Sequence, residues 1–242
     1  MTSTPRAVLS AGQIIRVTIE KVAHGGHFIA RCEGAVIFVR HGLPGEVVDV
    51  AITSVGSSFN RGDVVAVIQG SADRVEAPCR YANRNGCGGC DFQHVEISAQ
   101  RKLKEDVITE QFARIAKMDL RVDVEEVSPS LGWRTQATIG SDKKGRAGFY
   151  ASRTNTIMAI EDCLVLHPSI GYPKIQSQNW EPGVRIQVSA STDGSSRLVA
   201  GEVIQGEQIQ NFTVNDIKTG FRPETSQLFA LSFGRVIGKK RK

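Results

Sequence analysis

Three of the five cysteines lie close together in the sequence, as Cys79, Cys87 and Cys90, with the spacing C-x7-C-x2-C. A fourth, Cys163, lies far downstream in the segment IEDCLVLHP. Four cysteine thiolates can hold a cubane [4Fe-4S] cluster, whose ligand spacing differs between families. The CGGC turn suits such a cluster, because its two glycines let the backbone wrap closely and aim N–H groups at sulfur.

Zinc is the main competing interpretation of these cysteines. All-cysteine zinc sites usually contain two C-x2-C turns, and this chain has one. The spacing therefore favours iron–sulfur over zinc and leaves both open, together with unrelated thiols. Cys32, in the apolar stretch IARCEGAV, is predicted to be an ordinary buried side chain.

The elements that must position these cysteines can be predicted from hydrophobic periodicity. Residues 13–70 contain five short strand patterns separated by glycine-rich turns, which predicts a small closed barrel of the oligonucleotide-binding type. A helical stripe follows over about 95–118. Further strand patterns, beginning with LRVDVEEVSP, predict an α+β domain. We expect a barrel at 8–72, a cysteine loop at 73–93, the α+β domain at 94–217 and a basic, mobile tail at 218–242.

The net charge of +5 is unevenly distributed. Outside the basic tail, the largest surplus is at residues 133–160, where Asp142 is the one acid beside five basic residues: Arg134, Lys143, Lys144, Arg146 and Arg153. A local surplus of this kind is what a phosphate-binding surface requires, although an exposed basic hairpin without a partner is as common. No apolar run approaches the ~18 residues of a membrane span, so a cytoplasmic protein with no membrane partner is expected.

The sequence motifs resemble a known family. The stretches VTIEKVAHGGHFIARCEGAVIFVRHGLPGEVVDVAI and RGDVVAVIQGSADRVEAPCRY resemble a TRAM domain, an RNA-binding barrel. The motifs PCRY…CGGCDFQH, GWRTQATI and GRAGFYASRTNTIMAIEDCLVLHP, in that order, resemble the RNA uracil-5 methyltransferases, which form 5-methyluridine in ribosomal or transfer RNA. The resemblance covers roughly residues 8 to 216.

The resemblance implies specific site residues. It implies a [4Fe-4S] cluster on Cys79, Cys87, Cys90 and Cys163, and it makes Arg134 the leading candidate for contact with structured RNA, ribosomal RNA before transfer RNA. The family usually has further basic residues just after this arginine, where this chain has Thr135 and Gln136. Further RNA-binding candidates come from the basic turn and the barrel: Lys143, Lys144, Arg146, Arg40, His41 and, for base stacking, Phe59.

The family's chemistry resides in a C-terminal domain that binds S-adenosylmethionine and carries a nucleophilic cysteine. We expect that Rossmann-like catalytic domain to be absent from this chain, because no glycine-rich cofactor turn and no unassigned late cysteine are present. The resulting prediction is a truncated methyltransferase with no catalytic residue, inactive alone and dependent on a separate catalytic domain or protein. The alternatives are a standalone RNA-binding iron–sulfur or zinc module and an electron-transfer protein.

Overall fold

The computed structural model describes residues 7–126, 129–190, 197–205 and 208–213. They form two compact units. The first is built from the described residues up to 130 together with 149–158, and the second from 131–148 and the described residues from 159 onward. The predicted tail at 218–242 lies outside the described residues. No helix in the described part of the chain is long and apolar enough to cross a membrane.

The first unit contains a closed five-stranded barrel, as predicted. Its strands, in chain order, are β1 (Ile14–Ala23), β2 (His27–Cys32), β3 (Ala35–Arg40), β4 (Val47–Ser54) and β5 (Asn60–Gln69). Around the barrel the order is β1-β2-β3-β5-β4, with β3 and β5 parallel and the other described pairs antiparallel. Alternate side chains point inward and form the core, among them Phe28, Ile37, Val39, Val48 and Val50, all completely buried.

A buried ion pair fastens the segment after the barrel to the turn before β4. Glu46 is 0% exposed, and its carboxylate accepts hydrogen bonds from the Arg74 guanidinium at 2.6 Å to each oxygen. The backbone N–H groups of Leu43 and Ser71 donate to the same carboxylate at 2.9 and 3.0 Å. Burial opposes ionisation of Glu46, but the arginine and the backbone donors outweigh it and lower the pKa of this carboxyl below 4.5.

Helix α1 (Ile97–Gln111) packs on the barrel through Leu103 and continues as one π-helical turn, Phe112–Ala116. The Glu96 carboxylate caps its N-terminus by accepting from the N–H groups of Ser98 and Ala99. The strand predicted for LRVDVEEVSP is wrong over residues 120–126, which are irregular. Side chains of α1 bind this stretch instead: the Glu105 carboxylate accepts from the Val124 N–H, and Arg101 pairs with Glu126.

The remaining strands form a six-stranded sheet with the order β11-β10-β9-β6-β7-β8, in which the pairs β6–β7, β6–β9, β9–β10 and β10–β11 are antiparallel. Its strands are β6 (Gln136–Ser141), β7 (Ala147–Tyr150), β8 (Ile157–Ala159), β9 (Val184–Ala190), β10 (Arg197–Gln205) and β11 (Gln208–Thr213). A 3-10 turn (Pro168–Ile170) and the short helix α2 (Tyr172–Gln176) supply buried apolar side chains, including Ile170 and Ile175. The helix of the predicted α+β domain at 94–217 belongs to the first unit, so the second unit contains only the 3-10 turn and α2 as described helical elements.

Candidate nucleic-acid interface and cysteine loop

The cysteine loop is a tight turn in which glycine is sterically required. A Cβ at Gly86 would lie 2.0 Å from the Tyr81 carbonyl oxygen, and one at Gly88 would lie 2.8 Å from the Cα of Ser152. The Cys87 N–H donates to that Tyr81 oxygen at 2.9 Å, and the Gly88 N–H donates to the Tyr150 carbonyl at 3.0 Å. The CGGC turn is therefore packed against residues 150–152 of the first unit.

All four predicted cluster ligands are half-buried. Cys79, Cys87 and Cys90 belong to the first unit and Cys163 to the second. Among the described residues, no three or more His, Cys, Asp or Glu side chains are grouped so that they could hold a metal ion. As a donor set, four cysteines suit an iron–sulfur cluster chemically, so the cluster stays a prediction. Cys32, half-buried, packs against the barrel core as expected.

Arg40 is a buried arginine that joins the barrel to the cysteine loop. The residue is 4% exposed. Its guanidinium donates to the Asp91 carboxylate at 3.1 Å and to the Ser152 hydroxyl. Asp91 directly follows Cys90, and the Ser152 N–H donates to the Gly86 carbonyl. The predicted phosphate contact by Arg40 stays a prediction, but these partners give it a positioning role in the structure.

His41 is half-buried beside several cations. Burial, followed by the charges of Arg40, His94 and Arg74, lowers the pKa of His41 to about 4. The ring is therefore neutral near pH 7, and its Nε2 atom is buried with no hydrogen-bond partner in the described structure. A neutral imidazole attracts phosphate weakly, so His41 contributes little to an RNA surface at that pH; its RNA contact also stays a prediction.

A patch of aromatic and basic side chains, which we call the barrel face, lies on the first unit. It consists of His27, Phe38, Phe59, Arg61 and Arg153. The rings of Phe38 and Phe59 meet edge to face with centroids 5.1 Å apart, and the Arg61 guanidinium lies 5.1 Å from the Phe59 centroid. The Arg153 guanidinium contacts the His27 ring, which in turn meets Phe38 at 6.2 Å. Phe59, the predicted stacking residue, is 38% exposed.

In the second unit, Arg134 lies beside an exposed tryptophan. Trp133 is 47% exposed, and the Arg134 guanidinium lies 5.2 Å from its ring centroid. The backbone on both sides is fixed, because the Arg134 N–H donates to Val165 at 2.9 Å and its carbonyl accepts from His167 at 2.8 Å. The structure thus presents a cation and an aromatic ring together on a fixed backbone.

The other predicted contacts lie in the turn between β6 and β7, which we call the basic turn (Asp142, Lys143, Lys144 and Arg146). The Asp142 carboxylate accepts from the backbone N–H groups of Lys144 and Arg146 at 2.8 and 2.9 Å. It also pairs with the Arg146 guanidinium at 2.7 Å. Burial opposes ionisation of Asp142, but these donors outweigh it and lower its pKa below 3.8. Lys143 and Lys144 are exposed.

Five residues in these patches are not among the predicted site residues: Trp133, Arg61, His27, Phe38 and Arg153. Trp133 directly precedes the predicted Arg134, and Arg61 lies two residues after the predicted Phe59, so the motifs GWRT and SFNRG could have indicated both. Arg153 was counted in the basic surplus of residues 133–160, but the fold groups it with the barrel. No local sequence pattern indicates that placement.

Comparison with known proteins agrees with the barrel architecture. The TRAM domain family matches residues 9–65. An uncharacterized RNA methyltransferase of Streptomyces avermitilis is 37% identical over 82% of this chain and 49% of its own length. The 23S rRNA (uracil(1939)-C(5))-methyltransferase RlmD of Methylococcus capsulatus is 39% identical over 65% of this chain and 36% of its own length.

A solved structure is also similar in part. The Pyrococcus abyssi tRNA (uracil-54, C5)-methyltransferase, in complex with S-adenosyl-L-homocysteine, is 18% identical over 87% of this chain and 48% of that chain, with a TM-score of 0.43. This chain spans half or less of the length of these relatives. The chain is homologous to the N-terminal and central regions of the RNA uracil-5 methyltransferases, and its residues 9–65 are a TRAM domain.

Proposed function

We propose that this chain binds structured RNA as the recognition part of an RNA uracil-5 methyltransferase. The observation that carries the proposal is the pairing of an exposed aromatic ring with an arginine in each unit, Phe59 with Arg61 and Trp133 with Arg134. Aromatic rings stack on bases and arginine binds phosphate, so each pair offers both halves of a nucleotide contact.

Ribosomal RNA is the proposed partner. Two of the similar proteins carry the name 23S rRNA (uracil(1939)-C(5))-methyltransferase. The proposed activity of the whole protein is transfer of a methyl group to C5 of uracil, for which S-adenosylmethionine would supply the methyl group. The described residues would contribute binding: Arg134, Lys143 and Lys144 hold phosphates, and the barrel holds another part of the RNA.

We also propose that Cys79, Cys87, Cys90 and Cys163 hold a [4Fe-4S] cluster with a structural role. Two features support it: the four half-buried cysteines supply the number of thiolates that such a cluster needs, and Gly88 of the CGGC turn is packed too closely for any side chain. The connections of Arg40 to Asp91 and Ser152 would make the cluster loop part of the RNA-binding barrel unit.

The RNA proposal is tested by charge removal with a matched control. The variant with Arg134, Lys143 and Lys144 all changed to alanine should bind an rRNA fragment more weakly than the wild type. Its salt slope, log Kd against log salt concentration, should fall by roughly 0.9 for each lost contact to duplex phosphate. The control removes three exposed or partly exposed charges from the α1 region, as Lys102→Ala, Lys104→Ala and Arg114→Ala. Equal affinity and slope for the two triple variants would contradict a specific RNA surface.

The cluster proposal is tested by analysis of protein purified without oxygen. Four iron and four sulfide per chain, with an absorption band that Cys79→Ser abolishes and Cys32→Ser leaves intact, are expected. One zinc per chain without sulfide would instead support the competing all-cysteine zinc site.

A further inference from the structure

The five side chains of the barrel face are brought together by the strand register. Ile29 pairs with Phe38 across β2 and β3, and Phe38 pairs with Arg61 across the parallel strands β3 and β5. Paired residues point to the same side of a sheet, and so do residues two apart on one strand. His27, Phe38 and Arg61 therefore share the outer side of the barrel, opposite the core residues Phe28 and Ile37. Phe59, directly before β5, joins them through its edge-to-face contact with Phe38.

Arg153 joins this surface from the segment 149–158. Its backbone is left-handed, with φ of 57°, a conformation that is uncommon outside glycine. The turn that holds this conformation therefore sets the direction of the Arg153 side chain. The turn is closed by the Thr154 N–H, which donates to the Ala151 carbonyl at 3.1 Å, and by the Thr156 N–H, which donates to the Thr154 hydroxyl.

The basic groups of this surface lie close enough to repel one another. Burial, then the charges of Arg61 and Arg40, lower the pKa of Arg153, although Asp63 and Asp91 act in the opposite direction. Burial and the Arg153 charge lower the pKa of His27, so Arg153 contacts a neutral ring at pH 7. Arg40 already binds Asp91. An anion between Arg61 and Arg153 would relieve this repulsion.

We propose that the barrel face is a binding site for an unpaired RNA nucleotide, with its base stacked on the exposed ring of Phe59 and a flanking phosphate held by Arg61 and Arg153. This inference rests on the proposed RNA-binding function and specifies the form of RNA that one surface takes. Phe38 supports the Phe59 ring edge to face, which fixes its orientation before the base arrives.

Single-stranded RNA fits this surface better than a duplex. Bases within a duplex are stacked on both sides, so they offer no free face to an aromatic side chain, whereas a loop or bulge base does. Stacking on one phenylalanine is tolerant of sequence, because each base has a π-face. The site should therefore distinguish unpaired from paired nucleotides and should discriminate little between the four bases.

The test measures binding of the full chain to three oligomers of equal length by fluorescence anisotropy: single-stranded oligouridylate, its abasic counterpart and an RNA duplex. The wild type should bind the oligouridylate roughly tenfold more tightly than the abasic oligomer. Phe59→Leu should remove that difference and leave the salt slope unchanged, whereas Phe59→Tyr should retain it. Arg61→Gln and Arg153→Gln should each lower the slope by roughly 0.7.

A matched control is Ile115→Ala, which changes an exposed apolar side chain of the same unit outside the barrel face. If Phe59→Leu weakens binding to the abasic oligomer as much as to oligouridylate, the stacking site is overturned while RNA binding stands. The same holds if the duplex binds more tightly than the single strand and Phe59→Leu has no effect. If the full chain binds neither these oligomers nor an rRNA fragment, both proposals fail.

Discussion

The barrel face and the basic turn contain similar charges but arrange them in opposite ways. In the basic turn, Asp142 binds two backbone N–H groups and the Arg146 guanidinium, so one acid organises the loop and neutralises one of its cations. In the barrel face, Arg61 and Arg153 lie beside aromatic and neutral rings. A count of basic residues makes the turn the stronger candidate. The contacts favour the barrel face, where Arg61 lies beside the exposed Phe59 ring and the charges of Arg61 and Arg153 act on each other.

The largest expected effect comes from the ion pair that fastens the barrel. Glu46→Gln should lower the free energy of unfolding by about 3 kcal/mol, because it leaves the partly buried Arg74 charge with a neutral partner. Urea unfolding followed by circular dichroism measures this loss. The control Asp49→Asn breaks the solvent-screened pair with Arg16 and should change the free energy of unfolding far less than Glu46→Gln does. Equal losses for the two variants would show that the Glu46 network does not hold the barrel.

The barrel should also be the more pH-sensitive region. The pKa of His41 is lowered to about 4 in the folded protein, from an ordinary value of 6.5, so between these values the unfolded chain binds more protons. Stability should therefore fall as the pH is lowered from 6.5 towards 4, by less than about 1.4 kcal/mol per pH unit for this group. The hydrogen-bond donors of Asp142 lower its pKa, so the acid of the basic turn keeps its charge to a lower pH than an ordinary aspartate does.

Urea unfolding of the wild type and of His41→Asn at several pH values measures this effect. Asparagine is suitable because residue 41 has a φ of 64°, a conformation that asparagine tolerates well. The variant should show a flatter dependence between pH 4 and 6.5. A slope identical to that of the wild type would assign the acid sensitivity to other groups.

Removal of two charges from each region compares them directly. Arg61→Gln with Arg153→Gln should weaken binding to an rRNA fragment about tenfold, whereas Lys143→Gln with Lys144→Gln should weaken it about threefold, since the lysines are exposed and flexible. Binding titrations at several salt concentrations distinguish the two. The reverse order of effects would make the basic turn the main RNA contact.

The smallest effect is expected from Asp142→Asn. It should cost about 1 kcal/mol of stability in the second unit, because asparagine keeps part of the turn's hydrogen bonding, and it should increase RNA affinity slightly by freeing Arg146. The two tryptophans, Trp133 and Trp180, both lie in this unit, so their emission reports its unfolding. A loss of RNA affinity would show that the shape of the turn matters more than its charge.

Local sequence determined much of this protein. Alternating apolar residues between short glycine-rich turns were enough to predict five strands, and barrel closure follows from the number and length of those strands. The TRAM stretches are specific enough that the family comparison confirms them at residues 9–65. The helix pattern of 95–118 was correct at its start, where the Glu96 cap forms, but α1 ends at Gln111, with Ile115 and Met118 exposed.

Tertiary structure decided which cations act together and which residues are available. Arg40 is the last residue of β3, a position that predicts an exposed strand end, yet it is buried against its long-range partners Asp91 and Ser152. Arg153 lies in a basic stretch that sequence assigns to the second domain, and the fold groups it with the barrel. Composition and hydrophobic periodicity describe residues that are close in sequence. Side-chain contacts and burial depend on residues that are far apart in sequence, such as His27 and Arg153, which are 126 positions apart.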